Sequence, residues 1–256
     1  MIHSHAVIDP SARIGENVSI GPFSVIGKDV EIGDGTRIGP HVVINGPTSI
    51  GRDNQIFQFA SLGDMPQDKK YAGEPTRLEI GDRNVIREYC TMNRGTTQDD
   101  GVTSVGNDNW IMAYTHMAHD CKVGNHTIFA NNAQIAGHVH VEDYVILGAF
   151  TAVHQFVHIG LRSFSAMGTI ITKDVPPYVM VSGNPASPHG LNVEGLKRSG
   201  ETPEVQKALR QAYKILYRSG LTFEQAKLEL AKLAKQFDAV ASFNLFLQNV
   251  TRGIVR

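Results

Sequence analysis

The sequence predicts a parallel β-helix of six-residue repeats, followed by a short helical segment. Large apolar residues recur at every sixth position, and glycine follows them far more often than composition explains. Two polar segments interrupt the repeat, and a proline-bearing stretch ends it. We therefore expect a mainly β prism over residues 1–190, with external loops at 63–79 and 93–104, and a helical domain over 191–256.

The repeat begins at Ile8 and is defined by one apolar residue in six. Of 25 positions in this series 24 are large and apolar, whereas about ten would be so by chance in a chain that is 41% hydrophobic. This spacing is too sparse for an amphipathic helix or an alternating strand, and it fits a short strand followed by a corner. Three hexads close one triangular coil, so residues 18 apart stack at the roughly 4.8 Å spacing of paired strands, and the prism is about 40 Å long.

Small or β-branched residues stand two positions before each apolar residue. Alternation along a strand puts both positions on the inner side of the coil. Cys90 and Cys121 occupy this position. We therefore expect both to be small core residues rather than metal ligands or nucleophiles, and two cysteines make no disulfide framework.

Helix signals replace the repeat after the proline-bearing linker. Thr202 followed by Pro203 is typical of an N-cap and a first helical residue. Thr222 with Gln225 fits a capping box. A further helix is expected over 239–249.

The charge balance excludes a general nucleic-acid binder, since 24 Lys and Arg oppose 25 Asp and Glu. Residues 190–256 hold 11 of the basic and 6 of the acidic residues. A basic tail on an acidic body indicates either an anionic partner or a solvated helix face. No signal-peptide-like run opens the chain, and no stretch reaches the roughly 18 apolar residues of a membrane span. We expect a cytoplasmic protein without a transmembrane segment.

The repeat also brings distant polar residues together. His119 stands at the third place of its hexad, and adding 18 reaches Gly137 with His138 beside it. Adding 18 again reaches Gln155 with His154 beside it. These residues should form a ladder along one edge of the prism. Such a ladder is either a functional site or solvated surface, and several histidines on one edge could also bind zinc.

Five motifs in the chain resemble the acyl-carrier-protein–UDP-N-acetylglucosamine O-acyltransferase family, which begins lipid A synthesis. The motifs are YAGEPTR at 71–77, AHDC at 118–121, GHV at 137–139, TAVHQF at 151–156 and EGLKR at 194–198. The resemblance covers essentially the whole chain. It implies a left-handed coil, a homotrimer with sites between prisms, and an acidic acyl carrier protein that delivers a 3-hydroxyacyl chain. It implies no metal and no other cofactor.

The resemblance also implies roles for individual residues. His119 would be the general base on the sugar 3-hydroxyl, because an imidazole has its pKa near operating pH. The Gly137 N–H would stabilise the oxyanion. Asp120 would orient His119, which requires a corner because adjacent strand residues face opposite sides. The implied substrate-binding residues are Asp68, Lys70, His116, His138, His154, Gln155, Asn192, Glu194 and Arg198.

Two positions depart from what the family leads us to expect. Asn93 stands where many relatives carry histidine, which leaves the proposed base in place. Met167 stands where some relatives carry glycine, at the end of the acyl groove. A bulky side chain fills the bottom of such a groove, so we expect an acyl chain of about ten carbons rather than fourteen.

Three alternative functions stay open at the level of sequence. A related N-acyltransferase normally carries an extra N-terminal domain, for which repeats that begin by Ile8 leave no room. A zinc hydratase, as among the hexapeptide carbonic anhydrases, would be revealed by metal analysis. A non-catalytic β-helical scaffold or binding module would need neither the two loops nor the ladder of His119, Gly137 and Gln155.

Overall fold

The strands of the protein form the three faces of a prism. The computed structural model describes residues 1–250 and 252–256, and the strands within them form three sheets. The first sheet contains Val7–Ile8, Val25–Ile26, Val43–Ile44, Ser61–Asp64, Thr91–Asn93, His116–Met117, Gln134–Ile135, Ala152–Val153 and Ile170–Ile171. The second contains Arg13–Ile14, Val30–Ile32, Thr48–Ile50, Arg77–Ile80, Val102–Val105, Lys122–Val123, His140–Val141 and His158–Ile159. The third contains Ser19–Ile20, Arg37–Ile38, Gln55–Ile56, Val85–Ile86, Trp110–Ile111, Ile128–Phe129, Ile146–Leu147, Phe164–Ser165, Val179–Ser182 and Ser187–Leu191.

Strand pairing follows the predicted 18-residue coil. Val25 pairs with Val43 and Ile26 with Ile44, in parallel. The strand Ser187–Leu191 is different, because it pairs antiparallel with Val179–Ser182 and closes the end of the third sheet. Every member of the six-residue series is buried in the runs from Ile20 to Leu62, from Ile80 to Met92 and from Val105 to Ile171, so the predicted core is confirmed.

Both polar excursions leave the coil between the first and the second sheet. Strand pairing extends further into them than the sequence indicates, so only residues 65–76 and 94–101 lie outside strands. The reason is continuous hydrogen bonding between neighbouring coils: Leu78 pairs with Thr48 on one side and with Thr103 on the other. We call residues 65–76 the first loop and residues 94–101 the second loop.

The strands meet at three corners, where one residue per coil has the left-handed backbone conformation that is uncommon outside glycine. The histidine corner joins the first sheet to the second and includes Asp120, His138 and Phe156. The arginine corner joins the second to the third and includes His126, Tyr144 and Arg162. The aromatic corner joins the third to the first and includes Phe23, His41, Phe59, Tyr89 and Tyr114.

The two cysteines lie inside the prism, as predicted. Both are fully buried, and their Sγ atoms donate to the carbonyls of Met112 and Ala136. Burial raises the pKa of Cys90 to about 11 and that of Cys121 to about 12. Neither thiol is therefore a nucleophile near neutral pH.

Four helices follow the prism: α1 (Val193–Arg198), α2 (Pro203–Tyr217), α3 (Phe223–Ala234) and α4 (Asp238–Gln248). Thr202 caps α2, and the capping box of Thr222 and Gln225 is present at α3, so both predictions are confirmed. The sequence analysis missed α1, because its six residues are too few to show a helical period. Among the described residues, no helix is long and apolar enough to cross a membrane.

Candidate active site

His119 and Asp120 form a hydrogen-bonded pair at the histidine corner. Asp120 has φ +60°, so the chain turns there and its carboxylate folds back onto the preceding side chain. His119 Nδ1 lies 2.8 Å from Asp120 Oδ2. A carboxylate only accepts, so Nδ1 carries the hydrogen and Nε2 of a neutral His119 keeps a free lone pair. This is the corner that the orienting role of Asp120 requires.

The second loop holds Asp120 in place. Both the backbone N–H and the hydroxyl of Thr96 donate to the Asp120 carboxylate, at 2.8 and 2.7 Å. The Asp120 N–H in turn donates to Thr103 Oγ1. Burial by itself raises the pKa of Asp120, but the hydrogen bonds from His119 and Thr96 outweigh it and hold the pKa below its usual value. The buried carboxylate therefore stays charged beside the imidazole.

Gly137 lies against the His119 ring. A Cβ atom at this position would be 2.7 Å from His119 Cε1 and 2.8 Å from Nε2, so any side chain would push the imidazole aside. Among the residues that the structure describes, none accepts a hydrogen bond from the Gly137 N–H. The predicted approach of Gly137 to His119 is therefore present, and the backbone N–H of Gly137 is not used within the described residues.

His138 completes the cluster. Its ring is perpendicular to that of His119 at 5.2 Å and stacks on Phe156 at 4.4 Å. Its Nδ1 lies 3.0 Å from Asp99 Oδ2 in the second loop, and its Nε2 lies 3.7 Å from Asp120 Oδ2. Thr96 and Asp99 were not identified from the sequence, since a loop between repeats carries no period that places its side chains.

The two loops are joined above this cluster. Gln98 Nε2 donates to Asp68 Oδ2 at 2.8 Å, and Lys70 Nζ donates to Gln98 Oε1 at 3.2 Å. The Lys70 N–H and Gln98 lower the pKa of Asp68, and the nearby His119 adds to this effect. Asp68 and Lys70 therefore lie within electrostatic reach of the histidine corner, with Asp68 half-buried and Lys70 exposed.

The other residues predicted at this edge differ in burial: His116 is half-buried, whereas His154 and Gln155 are exposed. His116 Nδ1 lies 2.7 Å from Thr91 Oγ1 on the first sheet. Burial lowers the pKa of His116, with a smaller effect from His119, so this imidazole is neutral near pH 7. His154 and Gln155 stand one coil above Gly137 with exposed side chains, and His154 Nδ1 contacts the Gln155 carbonyl at 3.1 Å.

Asn192, Glu194 and Arg198 lie at a different corner of the protomer. They line a groove of about 970 Å³ that also contacts Tyr144 and Arg162 of the arginine corner. Asn192 already has structural partners: it accepts from the Gly195 N–H and donates to the Arg162 carbonyl. A single chain therefore does not bring this group next to His119.

Met167 lies at the upper end of the aromatic corner, where its neighbour Gly168 takes φ +74°. Met167 is 75% exposed. Ala152 and Ile170 are the outward residues of the last two strands of the first sheet, and this sheet lies between the histidine corner and the aromatic corner. An extended apolar chain that left the cluster at His119 could therefore follow this face toward Met167.

The cluster also has the composition of a metal site. One ligand atom from each of His119, Asp120 and His138 lies within 4.8 Å of the others. The Asp120 oxygens, however, already accept three hydrogen bonds, two from Thr96 and one from His119. Metal binding would have to break that arrangement, so the present geometry favours acid–base chemistry.

Comparison with known proteins identifies the family. Residues 174–255 match a family model described as UDP-N-acetylglucosamine O-acyltransferase, domain 2, and residues 11–46 and 103–137 match the bacterial transferase hexapeptide repeat. The acyl-carrier-protein–UDP-N-acetylglucosamine O-acyltransferase of Thiobacillus denitrificans is 61% identical over 255 residues, which are 100% of this chain and 99% of that protein. The chain belongs to this O-acyltransferase family.

Solved structures of the O-acyltransferase family have the same architecture. The UDP-N-acetylglucosamine O-acyltransferase of Moraxella catarrhalis superposes with a TM-score of 0.98 at 48% identity, covering 100% of this chain and 99% of that one. A structure from Acinetobacter baumannii gives a TM-score of 0.98 at 49% identity with the same coverage. The predicted fold class, a left-handed parallel β-helix with C-terminal helices, is confirmed, and so is the predicted family.

Proposed function

We propose that this protein transfers a 3-hydroxyacyl chain from acyl carrier protein to the 3-hydroxyl of UDP-N-acetylglucosamine, the first step of lipid A synthesis. Family membership supports the reaction, since an O-acyltransferase of this family is 61% identical to the protein along the whole chain. The observation that carries the mechanism is the His119–Asp120 pair against Gly137, because it combines an oriented base with a backbone donor.

In the proposed mechanism His119 Nε2 accepts the proton of the sugar hydroxyl as its oxygen attacks the thioester carbon. Asp120 holds the His119 Nδ1 hydrogen and stabilises the imidazolium that forms. The Gly137 N–H donates to the tetrahedral oxyanion. When the C–S bond breaks, the imidazolium returns its proton to the departing thiolate, so the carrier leaves as a thiol and His119 is regenerated as the neutral imidazole.

A homotrimer accounts for the unequal faces of the prism. The outward residues of the second sheet are polar or charged: Arg13, Glu31, Ser49, Glu79, Ser104, Lys122, His140 and His158. In the upper part of the third sheet they are apolar: Val85, Trp110, Ile128, Ile146, Phe164 and Met180. Cyclic symmetry about the aromatic corner would cover the third sheet of each protomer with the first sheet of the next.

The same arrangement would join the separated parts of the site. With the aromatic corner at the axis, the histidine corner of one protomer faces the arginine corner of its neighbour. Asp68, Lys70, His116 and His138 would then bind the sugar, while Glu194 and Arg198 of the next chain would reach the uridine diphosphate. Arginine suits phosphate because its planar guanidinium donates two parallel hydrogen bonds. Light scattering that finds a monomer at assay concentration would rule this arrangement out.

The basic tail provides a docking surface for the donor. Residues 190–256 hold 11 Lys and Arg against 6 Asp and Glu, and acyl carrier protein is strongly acidic. This pairing predicts that KM for the carrier rises with ionic strength, whereas KM for the sugar changes less. The cytoplasmic location expected from the sequence stays a prediction.

The function is tested by a transfer assay with UDP-N-acetylglucosamine and carrier proteins that bear 3-hydroxyacyl chains of increasing length. We expect the acylated nucleotide sugar as product and the highest rate near ten carbons. Met167→Gly should shift the preference to longer chains, because it opens the end of the groove. A folding defect would lower the rates with all donors by the same factor. The ratio of the rate with a long donor to the rate with a short donor is therefore an internal control for folding. No product with any donor would reject the function, and an unchanged ratio would reject the role of Met167.

Metal analysis of the purified protein separates this proposal from the hydratase alternative. Acid–base transfer predicts activity that survives a chelator. Stoichiometric zinc together with loss of activity after chelation would instead assign His119, Asp120 and His138 as ligands.

A further inference from the structure

Asp99 of the second loop contacts a histidine of the cluster around His119. Its Oδ2 is 3.0 Å from His138 Nδ1. The side chain of His138 is only 12% exposed and that of Asp99 is 32% exposed. The hydrogen bond from His138 lowers the pKa of Asp99, so Asp99 is charged whenever the enzyme is active.

His138 consequently lies between two carboxylates. Asp99 faces its Nδ1, and Asp120 Oδ2 lies 3.7 Å from its Nε2. His119 stands edge-on at 5.2 Å, and the apolar ring of Phe156 covers the stacking face at 4.4 Å. Lys122 adds a distant positive charge, since it pairs with Asp100 at 2.6 Å. The two nearest charges are thus both negative, and one lies on the side of each ring nitrogen.

We propose that Asp99 is a positioning residue that orients His138 beside the reacting centre. With Nδ1–H donated to Asp99, the imidazole ring presents its Nε2 on the side of His119 and Asp120. That nitrogen can pair with a polar group of the bound substrates in the step described above. This inference rests on the proposed transferase activity and assigns a role to a loop residue within it.

Asp100 provides a matched control for Asp99. It is the next residue of the same loop and carries the same charge, but its side chain is 68% exposed and its partner is the surface residue Lys122. Asp99→Asn and Asp100→Asn therefore change the net charge equally. They differ in whether a histidine of the cluster loses its anionic partner.

The experiment measures kcat and KM for these two variants and for Asp99→Glu. Loss of a hydrogen bond to a charged group should lower kcat of Asp99→Asn about tenfold. Asp100→Asn should stay within about twofold of the wild type, and Asp99→Glu should restore most of the rate.

A spectroscopic measurement independent of activity separates this inference from the proposed function. Histidine-labelled protein is followed by 15N NMR, with His138→Gln used to assign the resonance, and the hydrogen on His138 Nδ1 should be lost in Asp99→Asn but not in Asp100→Asn. A wild-type protein without transferase activity would reject the function even if this NMR signal behaves as expected. An active wild type whose Asp99→Asn variant keeps its rate and its hydrogen on His138 Nδ1 would overturn the role of Asp99.

Discussion

The histidine corner and the aromatic corner have the same backbone but different chemistry. Both place one residue per coil in the left-handed conformation, and both stack rings from coils 18 residues apart along the sequence. Along the aromatic corner the rings follow one another at 4.8–5.4 Å, from His5 to Tyr114. At the histidine corner the stack of His138 on Phe156 is joined to Asp99 and Asp120.

The difference arises from the two loops. Both leave the prism at the histidine corner, and the second one brings Thr96 and Asp99 to the coils above it. His41, at the aromatic corner, has no such loop beside it and stacks between Phe23 and Phe59. A histidine in a β-helix corner is therefore not in itself a catalytic group. In the proposed mechanism, the histidines that take part are those whose rings are held by a carboxylate, His119 by Asp120 and His138 by Asp99.

Replacement of the base should have the largest effect. His119→Ala is expected to lower kcat about a thousandfold, within the range of a general base. His41→Ala removes the same ring from the aromatic corner and should change kcat less than about twofold, because it only loses stacking contacts. Steady-state transfer assays on both variants test the comparison, and equal losses would show that the two corners are not functionally distinct.

A methyl group at Gly137 should have the next largest effect. The added Cβ would lie 2.7 Å from the His119 ring, so Gly137→Ala should displace the base and lower kcat about a hundredfold. Gly27→Ala, on the same corner near the N-terminus, brings its Cβ no closer than 3.1 Å to another atom. Thermal unfolding and kcat of both variants should show loss of activity without unfolding for Gly137→Ala alone.

Neutralising Asp120 should reduce activity and also change acid stability. Asp120→Asn keeps the shape but loses the charge that stabilises the imidazolium, so kcat should fall about tenfold or more. The folded pKa of Asp120 lies below its unfolded value of 3.8. Its stabilising contribution is therefore complete above that value and is lost as pH falls through the folded pKa. Urea titrations below pH 4 should show a shallower loss of stability for the variant than for the wild type.

The smallest effect is expected at the aromatic corner itself. Phe59→Ala removes two ring contacts, to His41 at 5.4 Å and to Tyr89 at 5.0 Å. The free energy of unfolding should fall by about 1 kcal/mol, the size of an aromatic pair. Specific activity of the assembled protein should stay unchanged. A large loss of activity without dissociation would mean that this corner contributes to catalysis.

The helix ends show which contacts a local sequence pattern can predict and which it cannot. Thr222 and Gln225 predicted their capping box correctly, because both partners lie within one turn. The resemblance implies that Asn192 is a substrate-binding residue, and the structure shows in addition that its amide caps α1 and donates to the Arg162 carbonyl. The contact with Arg162 joins residues that are 30 positions apart in the sequence, so no local sequence pattern predicts it.

The sequence by itself determined the coil and the approach of His119, Gly137 and His138, because a strict six-residue period converts chain distance into position. Only the tertiary structure decided that Asp120 folds back onto His119, that Thr96 and Asp99 reach this cluster, and that Asn192 and Arg198 lie at another corner. Repeats are specified by local backbone geometry and a shared core. Loop side chains are placed by non-local hydrogen bonds, which leave no period in the sequence.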